Sequence, residues 1–337
     1  MIVSGASVTG SAHLAAGRGC EDAFRAVRVG DDAVVLAVAD GVGSRSRAAL
    51  GAQLAVDNAC RVLTAAAPPG RGASAQEWTG WIADRGALLA ETCVRTAGAL
   101  VPGEGTTEPG AAQAGAAQAG AAQAGATQAG ATQPRAAEAR SSQHPAAQAR
   151  AAEAGTTEFG SAESGPAEGG VLELGAALLV ACVRAPWVAF VSLGDCFGVV
   201  LTTSETADGA AGAVERAHLV LPPPAPGGPP PAYTTSPAAR LRVRTFTLWE
   251  PELSGVVLAT DGCAPLALDH PSVRGLPDAA GPLPSGRFFP PLAAALRRAG
   301  GGAEPLHALL SDPAAAARTG DDLTVLCALA DGGRRWS

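Results

Sequence analysis

Apolar residues along this chain fall into short, dense blocks separated by turn-rich stretches, and the period changes from block to block. Residues 33–39 (AVVLAVA) form a continuous β-branched run, the pattern of a strand buried on both faces. Residues 46–66 instead carry Leu50, Leu54, Ala59, Val62 and Leu63 on one helical face. Trp78, Ile82, Leu89 and Cys93 predict a second helix from about 76 to 100. Farther on, strands are predicted at 175–183, 187–193, 196–201, 241–249 and 256–260. Helices follow near 291–299 and 305–310, then a last strand at 323–329. Adjacent strands joined by tight turns, with helices in pairs, describe an antiparallel α+β layer protein. A parallel doubly wound sheet would need a helix after nearly every strand.

Two stretches break this pattern. Residues 106–170 run in pentads (TTEPG, AAQAG, ATQAG and relatives), each with Gln or Glu at its third position. That period matches neither helix nor strand, and Phe159 is the one large apolar residue. Such a segment buries too little to offset its ordering entropy, so it is expected to be a disordered low-complexity insert. A repeat that stacks or binds a partner is the competing reading, but no hydrophobic position recurs for stacking to bury. Residues 221–237 are proline-dense and expected to be extended. The expected organisation is one domain built from 1–105 and 171–330, interrupted by 106–170 and followed by a short tail, 331–337.

Composition narrows the partners. The net charge is -7 and 16% of residues are charged; all 24 basic residues are arginine, and none cluster densely. That excludes a nucleic-acid footprint. Residues 1–19 lack the charged start and apolar core of a signal peptide. The longest apolar run, 171–183, contains Glu173 and is too short to cross a bilayer. Seven cysteines are scattered without a Cys-x-x-Cys pair, and five histidines are equally dispersed, which excludes a zinc finger and argues against a disulfide scaffold. A soluble, cytoplasmic monomer is expected, with no nucleic-acid or membrane partner.

The acids carry the chemistry. VVLAVADG (34–41) and VVLATDG (256–262) each run a wholly apolar strand straight into Asp-Gly. A carboxylate at the end of a buried strand must be paired, protonated or bound to a cation. An ordinary hairpin turn is the alternative. Glu21-Asp22 in GRGCEDAF and Asp321-Asp322 in GDDLTVLCALA each read alone as strand-entry or capping acids. Taken together, acids at four element ends without clustered His or Cys predict an all-oxygen cation site, selective for Mg²⁺ or Mn²⁺ over Zn²⁺.

The ordered series GRGCEDA, AVADGVGS, SLGDCFGVVL, VVLATDG and DDLTV resembles the metal-dependent protein phosphatases, protein phosphatase 2C, and AYTTSP (232–237) resembles a bacterial branch of that family. The resemblance implies two stacked antiparallel β-sheets flanked by helix pairs, an αββα sandwich. It implies hydrolysis of phosphoserine and phosphothreonine in proteins by a metal-activated water, with two Mn²⁺ or Mg²⁺ ions and a weaker third. The family's metal-bridging aspartate falls on Asp40 and its backbone-carbonyl ligand on Gly41. Its other principal metal aspartates fall on Asp261 and Asp321, the early acidic pair on Glu21 and Asp22, and the third-metal acid on Asp195.

The sequence also departs from the family. Gly17 stands where a phosphate-gripping Arg is usual, with Arg18 one place off as a substitute. Val42 replaces a His of animal members, Pro265 replaces an acid, and Asp322 stands where Asn is common. These changes keep two rival readings open: a degenerate binding or sensing module, and a small-molecule phosphohydrolase. Asp195 has its own rival, a hairpin-turn acid facing water. Cys20, Cys196 and Cys263 read as small packing residues rather than reactive thiols, Trp78, Trp81 and Trp187 as core, and Arg45 and Arg47 as a solvated helix start rather than phosphate contacts. His13, His218 and His270 have no partner that sequence identifies.

Overall fold

A computed structural model of the chain describes residues 1–43, 45–101, 170–204, 214–224, 230–237, 239–333 and 336. The pentad run lies outside the described residues except for its final Gly170. Two five-stranded sheets dominate. One has the order β1 (Ile2–Val8), β12 (Leu323–Leu329), β9 (Leu253–Ala259), β6 (Phe197–Ser204), β7 (Val214–Leu221). The other runs β2 (Asp22–Val29), β3 (Ala33–Gly41), β4 (Ala176–Arg184), β5 (Trp187–Leu193), β8 (Arg244–Trp249). Every neighbouring pair within them is antiparallel.

The central strands are apolar throughout because both faces are covered. On β3, Val35, Ala37 and Ala39 face α2 (Ala48–Thr64) and α3 (Ala75–Ala99), while Val34, Leu36 and Val38 face the other sheet. On β12, Val325, Cys327 and Leu329 meet the helices Phe289–Arg298 and Glu304–Leu310, while Leu326 and Ala328 join the inter-sheet core. Alternation of side chains across a strand thus feeds two cores at once. Each fully buried Val or Leu contributes about 1.5–3 kcal/mol, and three stacked core layers follow. This is the αββα sandwich expected from the sequence.

Several local expectations change. Two strands, β1 and β2, precede residues 33–39, and neither these nor β7 are among the predicted strands. All three lie at sheet edges, where polar residues face solvent and dilute the apolar pattern. On α2 the buried stripe is Ala52, Ala55, Val56, Ala59, Val62 and Leu63, and Leu50 is 40% exposed. Small residues let that helix lie close to the sheet. Leu241 opens no strand: it sits in the short helix Ala239–Arg242, and β8 begins at Arg244. Trp78 and Trp187 are buried and stacked on one another, with Trp81 edge-on and half-buried. Among the described residues no helix is long and apolar enough to cross a membrane.

Candidate metal centre

The register of the second sheet places the first two acids. Asp22 pairs opposite Asp40 at the open end of the β2–β3 ladder. The Gly41 N–H donates to the Glu21 carbonyl (3.1 Å), extending the ladder by one step. Neither Asp-Gly pair is a hairpin turn. β3 runs on through Gly41, and Asp261 opens a single 3-10 turn, Asp261–Cys263, after β9. The glycines are needed for close approach. A Cβ on Gly41 would collide with the Ala48 carbonyl and lie 2.9 Å from that of Glu21; one on Gly262 would collide with the Asp322 carbonyl.

Asp195 is not a hairpin acid either. β5 and β6 belong to different sheets, so Gly194-Asp195 is the crossing between them. Gly194 has φ +104°, a left-handed conformation that favours glycine. A Cβ there would also meet Ala177, which pairs in register with Asp40. The crossing therefore sets Asp195 beside the end of β3. Asp40, Asp195 and Asp261 each present a carboxylate oxygen, and these oxygens lie within 4.8 Å of one another. The Asp195 Oδ1 is buried without a hydrogen-bond partner among the described residues.

Glu21 and Asp321 approach from the N-terminal loop and from the entry to β12. Glu21 is 7% exposed; its Oε1 accepts from Arg18 Nη1 (3.0 Å), and its Oε2 is buried without a hydrogen-bond partner among the described residues. The Asp321 side chain is half exposed, and its Oδ1 accepts the Asp322 N–H (2.9 Å). Arg18 Nη1 also donates to the Gly43 carbonyl, so Arg18 fastens Glu21 to the loop after Asp40.

Crowding of these acids shifts their titration. Burial pushes the Asp40 carboxyl up to about 11, reinforced by Asp22, Asp261, Asp195 and Asp321. Burial lifts Asp22 to about 7, although the Thr260 and Thr324 hydroxyls favour its charged form. Burial, then Asp195 and Asp321, lift Asp261 to about 6. Several buried and half-buried carboxylates face one another, and Asp195 Oδ1 and Glu21 Oε2 have no hydrogen-bond partner among the described residues. Their unmet demand is for positive charge, and the donor set is all oxygen. The residues present fit a hard divalent ion.

Asp322 has a different task. It is 2% exposed, accepting the Gly10 N–H at Oδ1 (2.6 Å) and the Glu21 N–H at Oδ2 (2.5 Å), with His13 Nδ1 2.9 Å from Oδ2. Both carboxylate oxygens face donors, which is a reason for Asp rather than Asn here. Asp322→Asn should lower stability by about 1–3 kcal/mol, since an amide NH₂ would confront a buried N–H. Urea unfolding checks this, and an unchanged midpoint would contradict it.

Sequence reasoning missed four groups. His13 is buried, with Nε2 4.0 Å from both Glu21 and Asp321. Thr260 Oγ1 donates to Asp22 Oδ2 (2.7 Å) and accepts the Thr324 N–H (3.2 Å). Thr234 pairs with Ala176 through both backbone and hydroxyl, tying the 230–237 segment to the start of β4. Tyr233, on that segment, has its phenol raised by burial, then by Asp195, Asp40 and Asp261. Thr260 adjoins a recognised acid, and Tyr233 and Thr234 lie in the AYTTSP stretch, whose resemblance carried no role for either; His13 gave no sequence signal. The thiols behave as packing groups. Burial and neighbouring acids push Cys20 up to about 12, and raise buried Cys196 and Cys263 further.

Residues 9–311 match the sequence profile of protein phosphatase 2C. The chain belongs to the protein phosphatase 2C family. Of the acids described above, Asp321 and Asp322 alone lie beyond the matched residues. Two crystal structures of a bacterial serine phosphatase bearing arginine substitutions share the fold of this family member, each with a TM-score of 0.51. The arginine-to-alanine form is 10% identical and the alignment covers 98% of each chain; the arginine-to-lysine form is 11% identical, covering 98% of this chain and 99% of the other. No curated protein sequence matches the chain significantly.

Proposed function

We propose that this protein phosphatase hydrolyses phosphoserine and phosphothreonine in proteins, using two Mn²⁺ or Mg²⁺ ions held by Glu21, Asp22, Asp40, the Gly41 carbonyl, Asp261 and Asp321. Asp195 adds a ligand for a weaker third ion. The observation that carries this reading is the approach of half-buried Asp40, Asp195 and Asp261 oxygens to within 4.8 Å of one another, a crowding that raises the Asp40 carboxyl and that a cation would relieve. Divalent ions bound there supply an acidified water and neutralise charge at phosphorus.

The chain's own residues set the conditions for that chemistry. Asp40 faces both the early acids and Asp261, which suits a shared ligand. Thr260 keeps Asp22 oriented and favours its ionised form. Asp322 fixes the Glu21 backbone, and Arg18 holds the Glu21 side chain. Arg18 is left to reach a phosphate only through nitrogens other than Nη1. With the neighbouring thiols held protonated by burial, direct attack by water needs no covalent phosphoenzyme. We infer a cytoplasmic monomer acting on phosphorylated proteins, a reading supported by the acidic net charge and the dispersed arginines. The ordered domain is proposed to comprise 1–105 and 171–330.

The direct test is phosphate release from a phosphothreonine peptide, with and without Mn²⁺, alongside a panel of phosphometabolites. Folded protein that releases no phosphate at any Mn²⁺ concentration would sink the reading, and turnover of metabolites alone would replace its substrate class. Asp195→Ala is expected to leave the tight metal pair bound while lowering kcat roughly tenfold, about 1.4 kcal/mol of barrier. It should also raise the Mn²⁺ concentration for half-maximal rate. Unchanged kcat would make Asp195 a bystander, and loss of both tight ions would make it a primary ligand.

A further inference from the structure

We propose that Arg45 grips the phosphoryl group of the substrate, supplying from the loop after Asp40 the cation that Gly17 does not provide. The inference rests on the phosphatase reading above and deepens it. Arg45 stands five positions beyond Asp40, on the short connection into α2. That connection is pinned on both sides of it. The Val42 N–H donates to the Gly175 carbonyl (3.1 Å) and the Arg45 N–H to the Val42 carbonyl (2.9 Å). Ser46 donates to the Glu173 carboxylate through its N–H (2.9 Å) and its hydroxyl (2.8 Å). A side chain mounted there has a fixed origin.

One nitrogen of the guanidinium is unsatisfied. Its Nε is buried without a hydrogen-bond partner among the described residues; Glu173 feels its charge, but that carboxylate is taken by Ser46 and forms no close ion pair with it. A buried guanidinium nitrogen without an acceptor is costly, so the group calls for one. The other arginines near structural acids are already engaged: Arg18 with Glu21, Arg184 with Asp32, Arg297 with Glu215. Arg85 also has an orphaned Nε, but it lies within α3 rather than on an acid-bearing loop.

The loop that carries Arg45 also borders the acids: a Cβ on Gly43 would lie 3.2 Å from Glu21 Oε2. The Tyr233 phenol that feels Asp195, Asp40 and Asp261 feels Arg45 with the opposite sign. A half-buried cation on a rigid loop beside a dication site is suited to a phosphate monoester. The planar fork of Arg matches two phosphate oxygens, which Lys cannot reproduce.

Isothermal titration with inorganic phosphate, in saturating Mn²⁺, tests this on the full chain. Arg45→Ala should weaken phosphate binding about tenfold, the effect of losing a charge-assisted contact. KM for p-nitrophenyl phosphate should rise in parallel, with Mn²⁺ half-saturation and Tm unmoved. Arg45→Lys should fall between wild type and Arg45→Ala. Wild-type phosphate affinity in Arg45→Ala overturns the proposal. Should Arg45→Ala unfold or lose Mn²⁺, Arg45→Lys decides, since it keeps stem and charge: full phosphate affinity there overturns the bidentate grip, and reduced affinity upholds it. Wild-type protein that binds phosphate but releases none from a phosphopeptide would remove the activity and leave Arg45 in its role.

Discussion

Asp40→Asn is expected to reduce Mn²⁺-dependent phosphate release at least about a hundredfold, some 2.7 kcal/mol of barrier, in a protein that remains folded. Four neighbouring acids act on Asp40: Asp22, Asp261, Asp195 and Asp321. Replacing it removes the charge best placed for two cations to share. Without metal the effect on stability should be small, because the native carboxyl is already held protonated at neutral pH and Asn resembles that form. Adding Mn²⁺ separates the two proteins. Wild type should gain thermal stability with metal concentration, as any ligand of the folded state confers, and the variant should gain much less. More than about a tenth of wild-type activity, roughly 1.4 kcal/mol, would end the case for a bridging role.

The same crowding gives the metal-free fold a pH slope of defined sign. Asp22, Asp40 and Asp261 titrate in the folded state above their ordinary value of 3.8. Between that value and about 7 the folded chain holds protons that the unfolded chain has released. These groups therefore destabilise the fold progressively as pH rises through the window. Saturating Mn²⁺ should flatten the slope, which melting curves from pH 4 to 7 with and without metal would register.

Gly262→Ala is the second large effect expected. Its added methyl would collide with the Asp322 carbonyl and lie 3.2 Å from the Asp321 Cβ. Both obstacles are main chain or anchored to it, so neither swings away. Overpacking of this kind costs about 1–3 kcal/mol, and relief of the clash must push the Asp261 turn away from the entry to β12. Stability and turnover should fall together, and Mn²⁺ should bind more weakly because Asp261 and Asp321 separate. Full activity with normal Mn²⁺ affinity would show that the two strands need not approach so closely.

What the sequence discloses follows the covering of each strand. β3, β4, β5, β9 and β12 lie between a helix layer and the other sheet, or between sheet neighbours, and their runs are apolar enough to read directly. β1, β2 and β7 are edges. In β2 the exposed Phe24, Arg25 and Arg28 dilute the signal, and no local pattern distinguishes the strand from a loop. Asp40 and Asp261 were legible because an acid closing an apolar run has no local explanation. Asp195 was ambiguous for a topological reason: strand, Gly-Asp, strand reads the same whether the chain turns back within one sheet or passes to the next. The place of His13 and Tyr233 beside the acids was invisible, since it comes from pairing between distant segments.

The contact between Glu21 and Asp322 spans 301 positions of the chain, and this has a consequence for biosynthesis. Among the described residues β1 pairs with β12 alone within its sheet, so β1 leaves the ribosome long before that partner exists. At typical elongation rates of about 5–20 residues per second, that interval is roughly 15–60 s. Throughout it the early acids lack Asp321 and the anchoring carboxylate of Asp322. A nascent chain therefore carries an unfinished cation site and an unpaired strand, both completed only when the last strand is released. Products truncated before β12 should be inactive and prone to aggregation, so activity appears only once that strand has been made.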